Sequence, residues 1–567
     1  MESTAAGLSG LDSLKASAES FEDLSLTARM ELLSRLSQSV HAAAPEWVRV
    51  CCEAKGLDPG SPAAAEEWLG GPVVVLRYLR LLRQSLDRIV RRRRAPFGKT
   101  TVSHRGPNLA VQVLPDGMWD KLLFRGFEAE VWLQSGMDEM QLESSAAALY
   151  LGTRAHKART VAILGAGNYS SIGPLDVLTS MFVHGDLAAL KLHPLNTYLA
   201  PVFAKAFKDL LELEFLILLE GDAAFSEALV HDERVDAVHI TGSAEAHDAI
   251  VWGGPQVREA NRATNLPEFT KPITSELGCV TPILVVPGIW TAEEIQFQAR
   301  NVASMVTNNA SFNCNAAKLL LTAERWPQRR TFIDAIAKEL SATPTRAAYY
   351  PGTKERFQAF ERACSAGGAK LQYLGSPGEG ELPWLLARDL DFETKDRQPF
   401  ETEAWCSVLA EVTMNAANAS EFIPMAIEAV NERVAGTLSC GILVDPRTGS
   451  EPGPKSALSR GERDLNYGSI AINHWPGLSY ALGSTCWGAH PGNTLQDVGS
   501  GIGFVHNALM LPKPLKSIVR GPFVPKSSPL WVRGDAKALA GAKALAAFEA
   551  KPGVGTGMTL MRLGLGG

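Results

Sequence analysis

Residues 160–191 read TVAILGAGNYSSIGPLDVLTSMFVHGDLAALK, and the reading of this stretch decides the fold class. The apolar run TVAIL stops at a glycine turn, PLDVLTSMFVHG follows with helical patterning, and the apolar run LAALK closes the unit. Short apolar runs joined by helical segments imply right-handed βαβ crossovers and a parallel sheet covered on both faces. The same rhythm continues through APVFAKAFKDLLEL, FLILLEG and DAVHITG. The expectation is a doubly wound, Rossmann-like nucleotide-binding unit.

A second α/β series follows in TPILVVPG, TAEEIQFQARNVASMV, KLLLTAE, WCSVLAEV, EFIPMAIEAVNER, SCGILVD and SIAINHW, and reads as a second domain. Ahead of both, the first ninety-odd residues are helical in pattern. Val75, Leu79, Leu82, Leu86 and Ile89 recur at steps of four and three, which puts them on one face of a helix. Arg77, Arg80 and Arg83 fall off that stripe, and Arg91 to Arg94 end it as a solvated basic terminus, favoured by the helix dipole. LQYLGSPGEGELPW reads as an exposed excursion, and the Ala- and Gly-rich AKALAGAKALAAFEAKPGVGTGM as a loosely held tail.

The chain has 567 residues, enough for two or three packed units, and its 55 Lys+Arg against 61 Asp+Glu leave a net charge of -6. That balance offers no general attraction to nucleic acid or to an anionic membrane. Eight cysteines with no CxxC pair argue against a disulfide framework or a zinc ribbon and suit a reducing compartment. MESTAAGLSGLDSLKASAESFEDL has no basic region leading into an apolar core, and no apolar run reaches the roughly 20 residues a membrane span needs. The expected location is the cytoplasm, with no membrane and no nucleic-acid partner.

Single motifs are weak. GAGNYS, residues 165–170, has all but the last glycine of GxGxxG after a strand, FGKT lacks the earlier glycine of a phosphate loop, and HExxH and GxSxG are absent. The eleven histidines have no metal-binding spacing, so no metal is expected. NASFNCNAAK, residues 309–318, is more telling: Cys314 sits among amides and small residues, a poor setting for a packing cysteine and a suitable one for a reactive thiol. Glu276, in TSELGCVTP just after a predicted strand, is a candidate general base.

With these residues the chain begins to resemble the aldehyde dehydrogenase superfamily, in which a Glu-Leu-Gly-Gly segment precedes the loop of the nucleophilic cysteine. Here the step from Glu276 to Cys314 is 38 positions. ITGSAEAHDAI resembles the family's Phe-Thr-Gly-Ser segment, AILGAGNYSSIGPLD its Pro-Trp-Asn-Phe-Pro segment, ALKLHP its lysine strand, ETEAWCSV its Glu-x-Phe-Gly-Pro-Val and YGSIAINHW, with Asn473, its Gly-Thr-Val-x-Val-Asn strand. The six segments run in family order over roughly residues 160–500.

The resemblance implies an aldehyde-dehydrogenase-like fold with two doubly wound Rossmann-like domains, a helical N-terminal region and a β oligomerisation arm. The implied division is 1–100 helical, 101–275 NAD(P)-binding, 276–480 catalytic, and 481–567 return segment, arm and tail. It implies Cys314 as nucleophile, Glu276 as base and Asn168 as oxyanion amide. Lys191, Gly242, Ser243, Leu277, Glu403 and Trp405 are implied contacts of NAD or NADP. The substrate is an aldehyde and the assembly a homodimer or homotetramer, with VSHRGPNLAVQVLP and SGIGFVHNALMLPKPLKSIV as arm segments.

Departures are also plain. Cys279 replaces the second glycine of Glu-Leu-Gly-Gly; Ser311, Phe312 and Asn313 replace the residues usual before the nucleophile; Pro194 stands where NAD-preferring members carry a ribose-binding glutamate. NADP therefore stays open. Two other readings also stay open on this fold: transfer of the acyl group to coenzyme A, and a non-catalytic binding protein.

Overall fold

The structure is a computed structural model that describes residues 7–153, 155–532 and 534–564. Helix α1 (Leu26–Ala54) starts where Ser25 Oγ accepts the Ala28 N–H, and helix α2 (Val74–Arg92) packs along it. The predicted stripe of α2 is buried throughout, from Val75 to Ile89. Between them the chain takes one short α-turn, Ala65–Trp68, and one wide π-turn, Leu69–Val73.

An antiparallel meander follows: β1 (Val102–Arg105), β2 (Asn108–Leu114) and β3 (Glu128–Leu133). Next come β4 (Thr160–Leu164), β5 (Leu187–Lys191), β6 (Leu216–Leu219), β7 (Ala237–Thr241) and β8 (Ile273–Glu276), all parallel in the spatial order β8-β7-β4-β5-β6. Helix α3 (Ile172–Thr179) follows β4 and α4 (Ala244–Trp252) follows β7. Strand order therefore reverses between β4 and β7, the kind of position where doubly wound sheets open a ligand crevice.

The second series is β9 (Thr281–Val285), β10 (Ala317–Ala323), β11 (Lys370–Leu374), β12 (Trp384–Leu390), β13 (Val408–Met414), β14 (Ser439–Leu443) and β15 (Ser469–Ile472). Helix α5 (Ala292–Thr307) links β9 to β10 and starts in a capping box between Thr291 and Glu294. All pair in parallel except β11, the edge strand that LQYL forms against β12. The return segment adds β16 (Cys486–Gly488), β17 (Gly501–Ile502), β18 (Phe504–His506) and β19 (Pro514–Arg520). β17 lies antiparallel on β8, and β16 pairs with β18.

Both arm segments form strands, but they pair inside the chain. β19 lies parallel to β15 on one side and antiparallel to β3 on the other, which fuses the meander to the second series as one 11-stranded sheet. The backbone edge expected to need a partner subunit is thus occupied by the chain's own β15, and β1 becomes the outer strand.

One sequence expectation is corrected. The Ala-rich terminus is not a loose tail: it forms α6 (Ala538–Ala550) and α7 (Val554–Arg562), with α6 packed on the Ala65–Trp68 turn and on α2. Arg77, off the apolar stripe of α2, is buried against them; it is 3% exposed and donates to Glu549 at 3.0 Å, while Arg80 donates to the other Glu549 oxygen at 2.5 Å. A buried carboxylate between two guanidiniums is what holds the C-terminal helices down. The periodicity of α2 could not register a partner more than 450 positions away.

Candidate functional site

Residues 277–280 alone connect the carboxyl end of β8 to the start of β9, so Glu276 sits where the two sheets meet. The loop before β10 brings Cys314 to the same place, anchored by Thr281 Oγ1, which donates to the Cys314 carbonyl at 3.1 Å. The Cys314 thiol and the Glu276 carboxylate lie close enough to interact electrostatically. Burial lifts the Glu276 carboxyl to about 7. Burial, then the charges of Glu276 and Glu403, hold the thiol well above its ordinary range.

The loop carrying Cys314 is an interior one. Asn309, Ala310 and Ser311 all have positive φ, 50°, 53° and 73°, a conformation that costs non-glycine residues of order 1–3 kcal/mol each and persists only where the surroundings impose it. Here two buried lysines impose it. Lys318 donates to the Ser311 carbonyl and hydroxyl at 3.2 and 2.5 Å. Lys55, from the end of α1, donates to Asn309 Oδ1 and to the Asn168 carbonyl, both at 3.0 Å, and is neutralised by Glu67 at 2.9 Å. Glu66 accepts the Asn309 N–H at 2.9 Å and pairs with Arg346.

Asn168 follows β4 and is buried beside this loop. One proton of its amide goes to the Phe312 carbonyl at 3.2 Å, which leaves the other available. Among the described residues no acceptor takes the Cys314 backbone N–H. Asn315 Oδ1 is buried with no donor. Cys314, Glu276, Asn168 and Asn315 share the wall of one cavity.

Lys191, Gly242, Ser243 and Leu277 lie outside that wall. Lys191 ends β5, is buried, and has no hydrogen-bond acceptor among the described residues; burial lowers its pKa. Gly242 donates its N–H to the Glu276 carbonyl at 3.0 Å, and Ser243 caps α4 by accepting the Ala246 N–H at 3.1 Å. The Leu277 N–H is taken by the Ser500 carbonyl at 2.8 Å. Glu403 and Trp405 precede β13; among the described residues the Glu403 carboxylate accepts only a long 3.4 Å bond from the Cys279 N–H, and it is pushed up to about 8, chiefly by burial.

Between these groups stands a set of rings. Tyr350 packs on Phe312 at 5.1 Å and Trp405 at 5.3 Å, and meets His193 of the first sheet at 6.1 Å between centroids. Gly167 is required there, because a Cβ would lie 2.5 Å from both the Tyr350 hydroxyl and His193 Nδ1. Cys279 is buried and packs on Gly436, where a Cβ would come within 2.8 Å of its Sγ; all eight cysteines are free thiols. Among the described residues no cluster of His, Cys, Asp or Glu is arranged for a metal, and no helix is long and apolar enough to cross a membrane.

The contributions of Lys55, Glu66 and Glu67 were missed in the sequence, since they come from a region with no assignable motif. Nothing in local spacing signals an ion pair that reaches a loop 254 positions away.

No protein-family model matches the chain, and no curated protein sequence matches it. Solved structures do. The aldehyde dehydrogenase KauB of Pseudomonas aeruginosa superposes with a TM-score of 0.60 at 15% identity, covering 91% of this chain and 89% of that one. AldC of Pseudomonas syringae, solved with NAD+ and octanal, gives 0.59 at 13%, covering 93% and 90%. An NADP-dependent glyceraldehyde-3-phosphate dehydrogenase of Bacillus halodurans, solved with NADP, gives 0.57 at 12%, covering 91% of each chain. Over nine-tenths of its length, the chain therefore has the aldehyde dehydrogenase fold.

Proposed function

We propose that the protein is an NAD(P)-dependent aldehyde dehydrogenase that oxidises an aldehyde to the carboxylic acid, with Cys314 as nucleophile, Glu276 as base and Asn168 in the oxyanion hole. The observation that carries the reading is that Cys314 and Glu276 meet in the wall of one cavity, beside an amide with a spare proton.

The residues proposed for the cofactor fit such a group at both ends. Lys191 is a buried cation without an acceptor among the described residues, suited to a ribose or phosphate oxygen, and Glu403 is a half-buried carboxylate short of donors there, suited to ribose hydroxyls. Gly242 and Ser243 would lie by the diphosphate at the start of α4, Leu277 and Trp405 by the nicotinamide. The oxidised nicotinamide, when bound, supplies the hydride acceptor. Pro194 removes the carboxylate three positions after Lys191, although Asp222 lies near enough to raise the Lys191 pKa, and both NAD and NADP are kept as candidates.

The chain's own groups do the rest. Cys314 Sγ attacks the aldehyde carbon, its proton passes to Glu276, and the new oxyanion is held by the Asn168 amide and the Cys314 N–H. With a carboxyl pKa of about 7, Glu276 is a stronger base than an exposed glutamate and is about half ionised at neutral pH. Loss of hydride from the thiohemiacetal leaves a thioester. Glu276, once it has passed the thiol proton on to solvent, takes a proton from water, for which Asn315 Oδ1 offers an acceptor, and the C–S bond breaks to release the acid and the thiolate. A base poised beside the thiol favours hydrolysis over transfer to coenzyme A.

The test is formation of reduced cofactor over a panel of aldehydes with NAD and NADP, with and without coenzyme A. The expected result is acid formation independent of coenzyme A and lost in Cys314→Ser; coenzyme A dependence, or equal activity in Cys314→Ser, defeats the reading.

A further inference from the structure

The cavity that ends at Cys314 and Glu276 also tells what kind of aldehyde belongs in it. Away from these groups and the neighbouring amides, its wall is apolar and drawn from parts of the chain far apart in sequence: Leu69 and Val73 of the π-turn, Phe127 before β3, Trp531 after β19, and Leu545 and Leu560 of the two C-terminal helices. The charges that reach it are committed elsewhere. Arg77 and Glu549 are bonded to each other at 3.0 Å, and Glu66 is paired with Arg346. Arg125 and Lys526 are exposed at the rim.

Leu69, Phe127, Trp531 and Leu545 are only half-buried although they face a protein cavity. Apolar surface held that way gains when an apolar ligand covers it. The π-turn is shaped for this wall: Gly70 is required because a Cβ would lie 2.0 Å from the Tyr169 ring, which lines the same cavity. The C-terminal helices are docked firmly enough to limit its size, with Glu549 held by two arginines and the Phe548 ring packed on Trp119 at 5.3 Å.

We infer that the substrate is an aldehyde with an extended apolar chain, and that Leu545 and Leu560 of α6 and α7 set the chain length accepted. The inference rests on the reading of Cys314 as the nucleophile. The carbonyl meets Cys314 and Asn168, and the hydrocarbon runs between the π-turn and the C-terminal helices. Each buried methylene then strengthens binding by up to about fourfold, until the chain reaches the helices.

The experiment uses the full chain and has two arms. In the first, kcat/KM is measured for straight-chain aldehydes from acetaldehyde to dodecanal and for glyceraldehyde. In the second, butanamide, octanamide and decanamide, which carry a carbonyl but do not react, are titrated against tryptophan fluorescence in wild type and in Leu545→Gln. Support is a rise of roughly two- to fourfold per methylene, glyceraldehyde near the bottom, tighter binding of the longer amides, and a long-to-short ratio at least tenfold lower in Leu545→Gln. Chain-length-dependent amide binding without turnover of any aldehyde supports the apolar site and defeats the reading of Cys314. Turnover with a flat or falling chain-length profile, together with amides that bind no better as they lengthen, overturns the inference while leaving that reading intact.

Discussion

The ammonium of Lys55 donates to the main-chain carbonyl of Asn168 across 3.0 Å, so a residue of the N-terminal helices holds the amide proposed for the oxyanion hole. Burial alone would lower the Lys55 pKa, but the Glu67 charge carries it above its ordinary value, and the cation is permanent. Removing only Lys55, as Lys55→Met, strands a buried carboxylate and is expected to cost about 3–5 kcal/mol of stability. The double variant Lys55→Met with Glu67→Leu removes both charges and should recover most of that loss. If the lysine positions Asn168 and the Cys314 loop, the double variant stays slower than wild type by roughly 10- to 100-fold in kcat. Thermal melts and steady-state rates on the three proteins separate folding from positioning.

Glu549 anchors the C-terminal helices, and Glu549→Gln leaves Arg80 with a neutral partner and Arg77 with only the Asp120 carboxylate at 3.6 Å. The expected cost is about 1–3 kcal/mol, since hydrogen bonds remain while charge compensation is lost. Limited proteolysis should then cut between residues 531 and 538 sooner than in wild type. An unchanged cleavage rate and melt would show that the helices are held by apolar packing alone.

Glu276 sets a pH dependence with a definite sign. As a base it works only when ionised, so kcat/KM should rise with pH through about 7 and then level, and Glu276→Gln should remove that limb. Stability should run the other way. A carboxyl whose folded pKa is raised binds more protons folded than unfolded between its ordinary 4.5 and about 7, so Glu276 contributes stability that declines as pH rises through that window. Glu403 acts in the same direction up to about 8, and chemical denaturation at several pH values reads the sum.

Legibility followed the range over which each feature is encoded. The parallel strands were readable because TVAIL, LAALK and AVHIT are buried on both faces and so are mostly apolar. Glu276 and Cys314 were readable because each lies in a short segment of the chain that resembles a family pattern. The buried, left-handed state of Asn309, Ala310 and Ser311 was not, since it is imposed by Lys55, Glu66 and Lys318 and no local propensity favours it. The Ala-rich stretch of α6 looked unstructured for a related reason: small side chains leave a weak periodic signal, yet they allow close packing on α2. The intrachain pairing of β19 with β15 was also invisible, because an edge strand reads alike whichever chain covers it.

Glu276→Gln keeps the shape of the side chain and removes the base. Mixed rapidly with aldehyde and cofactor, this variant should give a burst of reduced cofactor close to one per active site, followed by a steady state slowed by 10²-fold or more. Equal loss of burst and steady state would show that the part of Glu276 in taking the thiol proton, and not its part in hydrolysis, limits the variant.

The central claim is that Cys314 carries the acyl group, and the most direct measurement is peptide mass mapping of Glu276→Gln quenched in acid during that slow phase. The account predicts an acyl mass increment, matching the aldehyde used, on the peptide that contains Cys314 and on no other cysteine peptide, absent when cofactor is omitted and in the Cys314→Ser background. An unmodified Cys314 in protein that is turning over aldehyde, or an increment on Cys279 in its place, would contradict it.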